Sequence, residues 1–316
     1  MKLNEINHVG VVGTGMIGTS LAVLLTGHGY RTTLLALNDA LAAESRSRFG
    51  AFYQDMVDSH VITPEQAEIC ARYIRYSTDY ADLADIDCAF EAVVENLDVK
   101  HEVYQALEDN CPNLKIIMSV TSAIPAEKLP EGLSRFGDRV IVTHPFNPPH
   151  LVPYFEVVKS QATADGITDL AKAFLESLNR KVVVLKRSVP GFLGTRLQFA
   201  MIREAFNIVQ SGIADPKDVD LAAMYSFMPR FTTIGIFEHL DNGGLQLAAT
   251  VSGNLFPYLS REDKVPDILR EKIEHGDLGV KTGKGFHDWH GVDLKDLNDR
   301  IAAPWWHLFN WELPKE

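Results

Sequence analysis

The stretch Gly13-Thr14-Gly15-Met16-Ile17-Gly18 constrains this chain more than any other. An apolar run at residues 6–12 leads into it, and residues 16–26 carry Ile17, Leu21, Leu24 and Leu25 at helical spacing. A strand, three spaced glycines and a helix, in that order, form the βα turn that receives the pyrophosphate of a dinucleotide. The first glycine permits the tight turn. The second lets backbone approach the phosphates, and the third lets the helix pack on the strand. The helix start, at Met16, Ile17 and Gly18, then faces the anion with free N–H groups and a partial positive charge. A purely structural glycine turn is the competing reading.

The rest of the first half alternates between the two periodicities of an α/β sheet. Strands are expected at residues 32–35, 72–76, 86–94, 114–118, 139–143, 155–158 and 181–185. Helices are expected at 39–60, 98–110 and 163–178, and another opens at Thr63-Pro64-Glu65-Gln66, a capping box with proline at the first helical position. The 86–94 run is nearly all apolar, as in a strand buried on both faces of a parallel sheet. From 188 onward the pattern is helical, with segments at 192–212, 216–224, 244–258 and 261–274, the second opened by Asp215-Pro216. Two domains follow, 1–187 and 188–316, with the boundary near 186–189. One position departs from the dinucleotide pattern. An acid at the end of the second strand ordinarily bonds the adenosine ribose, and here Ala36 stands, followed by Leu37-Asn38-Asp39. Asn38 or Asp39 can reach the ribose instead. NAD is the favoured cofactor and NADP stays open, with Arg46 and Arg48 a short helix away.

Composition narrows the partners. A net charge of -12 over 316 residues argues against nucleic acid. Three cysteines, Cys70, Cys88 and Cys111, fit neither a metal motif nor a disulfide framework, which points to a reducing compartment. There is no long apolar leader region at the N-terminus and no membrane-length apolar run. A cytoplasmic protein acting on a small molecule is expected, with no membrane partner.

The chemistry concentrates in residues 144–156. His144, the usual proton carrier near neutral pH, is followed by Asn147 among prolines and then by Glu156. Pro145, Pro148, Pro149 and Pro153 fix φ and stiffen the loop. A carboxylate on the far ring nitrogen would set the tautomer and stabilise the imidazolium. The bland alternative is a proline-rich turn with a satisfied core histidine. Ser122 and His144 both lie just past expected strand ends, where ligands of open α/β sheets bind. His287, Asp288 and His290 form too short and local a set for a metal, and no metal is expected. Trp305, Trp306, Phe309 and Trp311 form an aromatic stripe, for which a dimer contact is the natural role.

These pieces together resemble the 3-hydroxyacyl-CoA dehydrogenase family over nearly the full length. The matching residues, in order, are Gly13 to Gly18, Glu91-Ala92-Val93-Val94-Glu95-Asn96, Thr121-Ser122, His144-x-Phe146-Asn147-Pro148, Glu156, Val189-Pro190-Gly191-Phe192 with Arg196, and Gly283-Lys284-Gly285-Phe286. The resemblance implies an α/β Rossmann-like N-terminal domain with a mostly parallel sheet and an all-α C-terminal domain that forms a homodimer. It implies reversible hydride transfer between NAD(P) and a 3-hydroxy or 3-keto acyl group. His144 becomes the general base, Glu156 its orienting partner and Ser122 a donor to the reacting oxygen. Glu95 and Lys100 fall where the family lines the cofactor site. Thr195 stands where acyl-CoA enzymes carry an asparagine that helps hold substrate. The loop around Asn147 and the segment Pro229-Arg230-Phe231 are more similar to the branch of lambda-crystallin (a gulonate dehydrogenase) and carnitine dehydrogenase, which act on free hydroxy acids. Arg230 would then pair with a substrate carboxylate. Two rivals stay open: a lysine-dependent β-hydroxyacid dehydrogenase, and a non-catalytic structural or sensor protein that reuses a nucleotide fold.

Overall fold

A computed structural model describes residues 3–315 of the chain. It comprises two compact units, one running up to Leu193 and resuming at Asn298, the other Gly194–Leu297.

In the first unit the elements alternate. They are β1 (His8–Val12), α1 (Met16–Gly27), β2 (Arg31–Leu35), α2 (Asp39–Asp58), α3 (Pro64–Ala71), β3 (Ile74–Ser77), β4 (Cys88–Glu91), α4 (Leu97–Asn110), β5 (Ile116–Ser119), β6 (Val140–Pro145), β7 (Tyr154–Val158), α5 (Ile167–Ser177) and β8 (Lys181–Val184). One eight-stranded sheet results, in the order β3-β2-β1-β4-β5-β6-β7-β8. Only β6 and β7 pair antiparallel. The parallel strands are brought into register at their C-terminal ends. Leu35, Val12, Glu91, Ser119 and Val142 form one row of partners across β2, β1, β4, β5 and β6. Whatever follows these residues in the chain is therefore delivered to one edge of the sheet.

Burial explains the regularity. All five residues of β1 and all six of β6 are buried. Of the twelve residues of α1, ten are buried, including Leu21, Leu24 and Leu25 with no exposed surface. Each such side chain contributes roughly 1.5–3 kcal/mol over leaving it in water. The capping box at α3 forms, with Thr63 N–H donating to Gln66 Oε1 at 2.8 Å and Gln66 N–H to Thr63 Oγ1 at 3.2 Å.

The second unit holds α6 (Gly194–Gln210), α7 (Pro216–Ser226), α8 (Ile236–Gly243), α9 (Leu245–Leu255) and α10 (Asp267–Glu274), and α11 (Leu294–Trp306) runs across the division. Several expectations are corrected here. The helix expected at 261–274 begins only at Asp267, because Pro266 takes the N-cap and has no N–H to continue a helix behind it. Asp215 stands at the N-cap of α7 without a side-chain cap bond. The strand expected at 86–94 ends at Glu91, where the chain turns past Gly13. Helices α8 and α11 had no sequence expectation.

The aromatic stripe is also corrected. Trp306, Phe309 and Trp311 pack on the core of the α/β unit rather than waiting for a second chain. Trp311 is 8% exposed, with its ring 5.0 Å from that of His28, 4.9 Å from that of Phe309 and 5.8 Å from the Arg180 guanidinium carbon. A Cβ added at Gly27 would come within 2.3 Å of its indole. Asn179 Nδ2 donates to the Asn310 carbonyl at 2.9 Å. The tail from Asn298 thus groups with the first unit, and the expected second domain of 188–316 loses it.

Candidate active site

The glycine turn has the shape a dinucleotide needs. Gly13 has φ +111°, and a Cβ there would lie 2.4 Å from the Ala92 carbonyl oxygen. A Cβ on Gly18 would lie 1.9 Å from the Gly13 carbonyl oxygen. Gly15 differs: nothing stands within 4 Å of where its Cβ would be. The outer two glycines are demanded by close packing, and the middle one opens onto the space a pyrophosphate would fill. Gly15 is also the N-cap of α1 and offers no side chain to cap it, so the first N–H groups of Met16, Ile17 and Gly18 remain for an anion. Arg48 Nη1 donates to the Thr14 carbonyl at 2.9 Å, and the Thr19 hydroxyl, bonded to Ser45, reaches the same carbonyl at 3.1 Å. Helix α2 therefore braces the turn from behind.

Asn38 is the N-cap of α2. Its Oδ1 accepts from Leu41 N–H at 3.0 Å, which leaves its amide N–H groups for a ribose. Arg46 lies with its guanidinium 4.6 Å from the centre of the Tyr76 ring.

His144 and Glu156 are direct cross-strand partners in the β6–β7 ladder. That register explains how a pair twelve residues apart meets: β7 folds straight back along β6. His144 Nδ1 lies 3.0 Å from Glu156 Oε2. A carboxylate only accepts, so Nδ1 carries the proton and Nε2 the lone pair. Nε2 makes no hydrogen bond among the described residues. Glu156 is fully buried, and its Oε1 accepts from Tyr154 O–H at 3.1 Å and from Leu193 N–H at 2.9 Å. Burial, then the Glu156 charge, push the Tyr154 phenol well above its ordinary range. The chain delivers Leu193 through a left-handed turn, with φ +73° at Gly191 and +45° at Phe192. A bulky residue at positive φ is strained by about 1–2 kcal/mol. Phe192 offsets this by burying its ring, 5.2 Å from that of His144. Phe146 sits on another side of the imidazole at 5.9 Å. Phe192, Leu193 and Tyr154 are site residues that residue-by-residue reading missed; the signal for Phe192 lay in the Val189–Phe192 match.

Ser122 lies three residues past Ser119 of β5, and His144 two past Val142 of β6, the partner of Ser119. Its hydroxyl is exposed and unbonded among the described residues. The backbone beneath it is clamped by Glu95. Glu95 Oε1 accepts from Ser122 N–H at 3.0 Å, Ala123 N–H at 2.9 Å and the Thr121 hydroxyl. Burial opposes ionisation of Glu95, but these bonds and the Lys100 charge outweigh it and hold the carboxyl below its ordinary range. Lys100 is corrected as a direct cofactor contact: its side chain is 1% exposed and its ammonium lies between Glu91 at 2.7 Å and Glu95 at 3.4 Å.

Asn147 is exposed on the loop after β6. That loop is tied to the cofactor helix, since His150 N–H donates to Ser20 Oγ of α1 at 3.0 Å and His150 Nδ1 lies 2.7 Å from the same oxygen. Burial, with Arg180 as the lesser cause, lowers the His150 pKa to about 3. Burial likewise raises the thiols of Cys70 and Cys88, and that of Cys111 to about 12, so none is a thiolate near neutral pH.

Thr195 and Arg230 belong to the helical unit. Thr195 is the second residue of α6. Arg230 sits in a single 3-10 turn, Met228–Thr232, where Nη2 donates to the Ser226 carbonyl and Nη1 meets His239 Nε2, both at 3.3 Å. His287 pairs with Asp220 and His290 with Asp288.

Comparison with known proteins agrees with this geometry. Residues 8–188 match the family described as "3-hydroxyacyl-CoA dehydrogenase, NAD binding domain", and residues 191–289 match the corresponding C-terminal domain. The chain is 29% identical to a 5-formyl-3-hydroxy-2-methylpyridine 4-carboxylate 5-dehydrogenase of Mesorhizobium japonicum, over 94% of this chain and 95% of that protein. It is 31% identical to an L-carnitine dehydrogenase of Oceanobacillus iheyensis, over 85% and 88%. The solved structure of a 5-formyl-3-hydroxy-2-methylpyridine 4-carboxylic acid 5-dehydrogenase, titled an NAD+ dependent dismutase, superposes with a TM-score of 0.86 at 28% identity, covering 96% of this chain and 97% of that one. With a dinucleotide turn that fits NAD and a histidine–carboxylate pair at the same sheet edge, the chain belongs to the 3-hydroxyacyl-CoA dehydrogenase family and is an NAD-dependent oxidoreductase.

Proposed function

We propose that this enzyme interconverts a hydroxyl and a carbonyl on a small free acid, with His144 as the general acid/base. The observation that carries the reading is the His144–Glu156 pair: one ring nitrogen fixed by a buried carboxylate, the other left with its lone pair. Met16, Ile17, Gly18, Asn38 and the glycine turn hold the cofactor, which when bound supplies the hydride acceptor. In oxidation, His144 Nε2 takes the hydroxyl proton, and Glu156 stabilises the imidazolium that forms. Ser122 O–H donates to the oxygen as it gains carbonyl character. A positioned base of this kind contributes about 10²–10⁴-fold, and a donor aimed at the developing charge adds to it.

A free acid is favoured over a CoA thioester for two reasons. Arg48 is committed to the Thr14 carbonyl and braces the glycine turn rather than offering itself to CoA phosphates. Among the described residues Arg230 meets the Ser226 carbonyl and His239 and no carboxylate, and a guanidinium of this kind suits an acid rather than a thioester. Asn147, exposed on the loop after β6, supplies a further polar contact. One relative matched along 95% of its own length is named for a formyl carboxylate, so a hydrated aldehyde is within the substrate class, while another matched along 99% of its length is named for a CoA thioester, and the assay below separates the two.

The helical unit makes a homodimer the natural assembly. Among the described residues none of α6 to α10 has a buried side chain, and Phe199, Leu221, Tyr225, Phe237, Leu247 and Tyr258 are exposed. An apolar surface on this scale marks an interface. No described helix is long and apolar enough to cross a membrane. Three buried free thiols suit the reducing cytoplasm.

The test is steady-state turnover with NADH and NADPH on acetoacetyl-CoA, on free 3-keto acids and on an aromatic formyl carboxylate. Turnover of a free acid or formyl acid with NADH, with little on the thioester, is the expected outcome. Efficient turnover of acetoacetyl-CoA alone would return the enzyme to the acyl-CoA branch.

A further inference from the structure

Beneath the edge that carries Ser122 lies a buried ionic network that hydride transfer itself does not use. Glu91, the last residue of β4, has no exposed surface. Its Oε1 accepts from Lys100 Nζ at 2.7 Å and from Val93 N–H at 3.0 Å, and its Oε2 from Tyr104 O–H at 2.8 Å and Ser119 O–H at 2.6 Å. One carboxylate therefore ties together β4, β5 and α4. Lys100 continues the chain of contacts to Glu95, and Glu95 takes the N–H groups of Ser122 and Ala123 and the Thr121 hydroxyl.

Packing alone does not call for charges here. Apolar side chains of similar volume often serve a buried position as well as an ion pair does. What the pair achieves is to deliver one positive charge to the underside of Glu95, whose carboxylate holds the Ser122 loop by three donors. Among the described residues the titratable groups linked to Glu95 are Lys100 and Tyr104 of α4 and, through Lys100, Glu91 of β4. Lys100 is the only cation among them.

We propose that Lys100 is a positioning residue: locked against Glu91, it keeps Glu95 ionised and thereby holds Ser122 where the reacting oxygen is met. This rests on the reading of Ser122 as the oxygen donor. Removing Lys100 leaves two carboxylates without a cation between them. Glu95 then takes up a proton at higher pH, loses acceptor strength and releases the loop. A displacement of about 1 Å at such a group can lower turnover by roughly 10²-fold.

Four variants test this, assayed in the direction of carbonyl reduction, where protonated His144 is the active form and does not limit the acid side. Glu91→Gln/Lys100→Met removes both buried charges together, so that no lone ion is stranded in the core. Its kcat is expected to fall about 10–100-fold, with the acid limb of the pH profile moved up by about one unit and the NADH Kd within about 3-fold. Glu95→Gln, at a half-exposed position, keeps an acceptor but cannot titrate. Its kcat falls by a similar factor of about 10–100-fold with no new acid limb, and adding the Glu91/Lys100 changes to it brings little further loss, as expected for groups acting in series. Ser122→Ala separates the layers. Wild-type turnover there would remove the role of Ser122 itself. Impaired turnover there, with an unshifted pH profile in the double variant or additive losses in the triple, would overturn the positioning role of Lys100. A tenfold loss of NADH affinity at unchanged kcat would instead make Lys100 a cofactor residue. Should the double variant fail to fold, wild-type kcat in Glu95→Gln would overturn the proposal alone.

Discussion

Helices α1 and α6 mark the two extremes of this molecule. Ten of the twelve residues of α1 are buried, and none of the seventeen of α6 is. Part of the difference lies in the pattern: α1 carries no charged residue and is apolar nearly all round, whereas α6 sets Arg196, Arg203 and Glu204 beside an apolar stripe. The rest lies in what each helix finds to pack on. The α/β unit supplies its own covering, because sheet and helices bury each other and the C-terminal tail closes a remaining face with Trp311. The helical unit presents apolar side chains that its own chain leaves exposed. One unit buries its apolar side chains within itself and holds the His144–Glu156 pair; the other leaves many of its apolar side chains exposed.

Truncations probe this contrast directly. Trp311→Ala removes a side chain lodged against Gly27, His28 and Phe309. A loss of about 3–5 kcal/mol is expected, lowering Tm by roughly 6–20 °C in calorimetry. A shift of a degree or less would mean that the tail is an ornament on the α/β unit. Phe237→Ala, at a position 81% exposed, is the counterpart on the helical unit. Its effect on the stability of a dilute monomer is expected to stay within about 0.5 kcal/mol. Sedimentation should nonetheless show weaker self-association by about tenfold or more, as for an aromatic residue at an interface. Unchanged self-association would remove Phe237 from the contact.

Much of the α/β unit was legible in the sequence because its signals are local. The glycine turn, the capping box at Thr63 and the apolar strands each depend on neighbours within a few residues. The His144–Glu156 pair was legible too, since a loop stiffened by four prolines joins two adjacent strands. Glu91 was hidden for the opposite reason. It reads as one polar letter in an apolar run, and its side-chain partners lie 9, 13 and 28 residues along the chain. Lys100 was noticed, but as a cation for the cofactor, because a sequence does not reveal that an ammonium is enclosed between two carboxylates. The aromatic tail was misassigned to a dimer contact on the same account: the pattern Trp306–Phe309–Trp311 announces an apolar face without saying which surface it meets. Helix α10 began later than expected because Pro266 decided the start more strongly than the surrounding helix formers.

The central claim is that His144, fixed by Glu156, carries the proton. Its most direct test is kcat for His144→Ala beside the NADH Kd of the same folded protein. The account predicts a fall in kcat of about 10²–10⁴-fold with the Kd within roughly 3-fold of the wild type. Wild-type kcat in a folded His144→Ala protein would contradict it and leave the His144–Glu156 pair as a structural strut of the β6–β7 ladder.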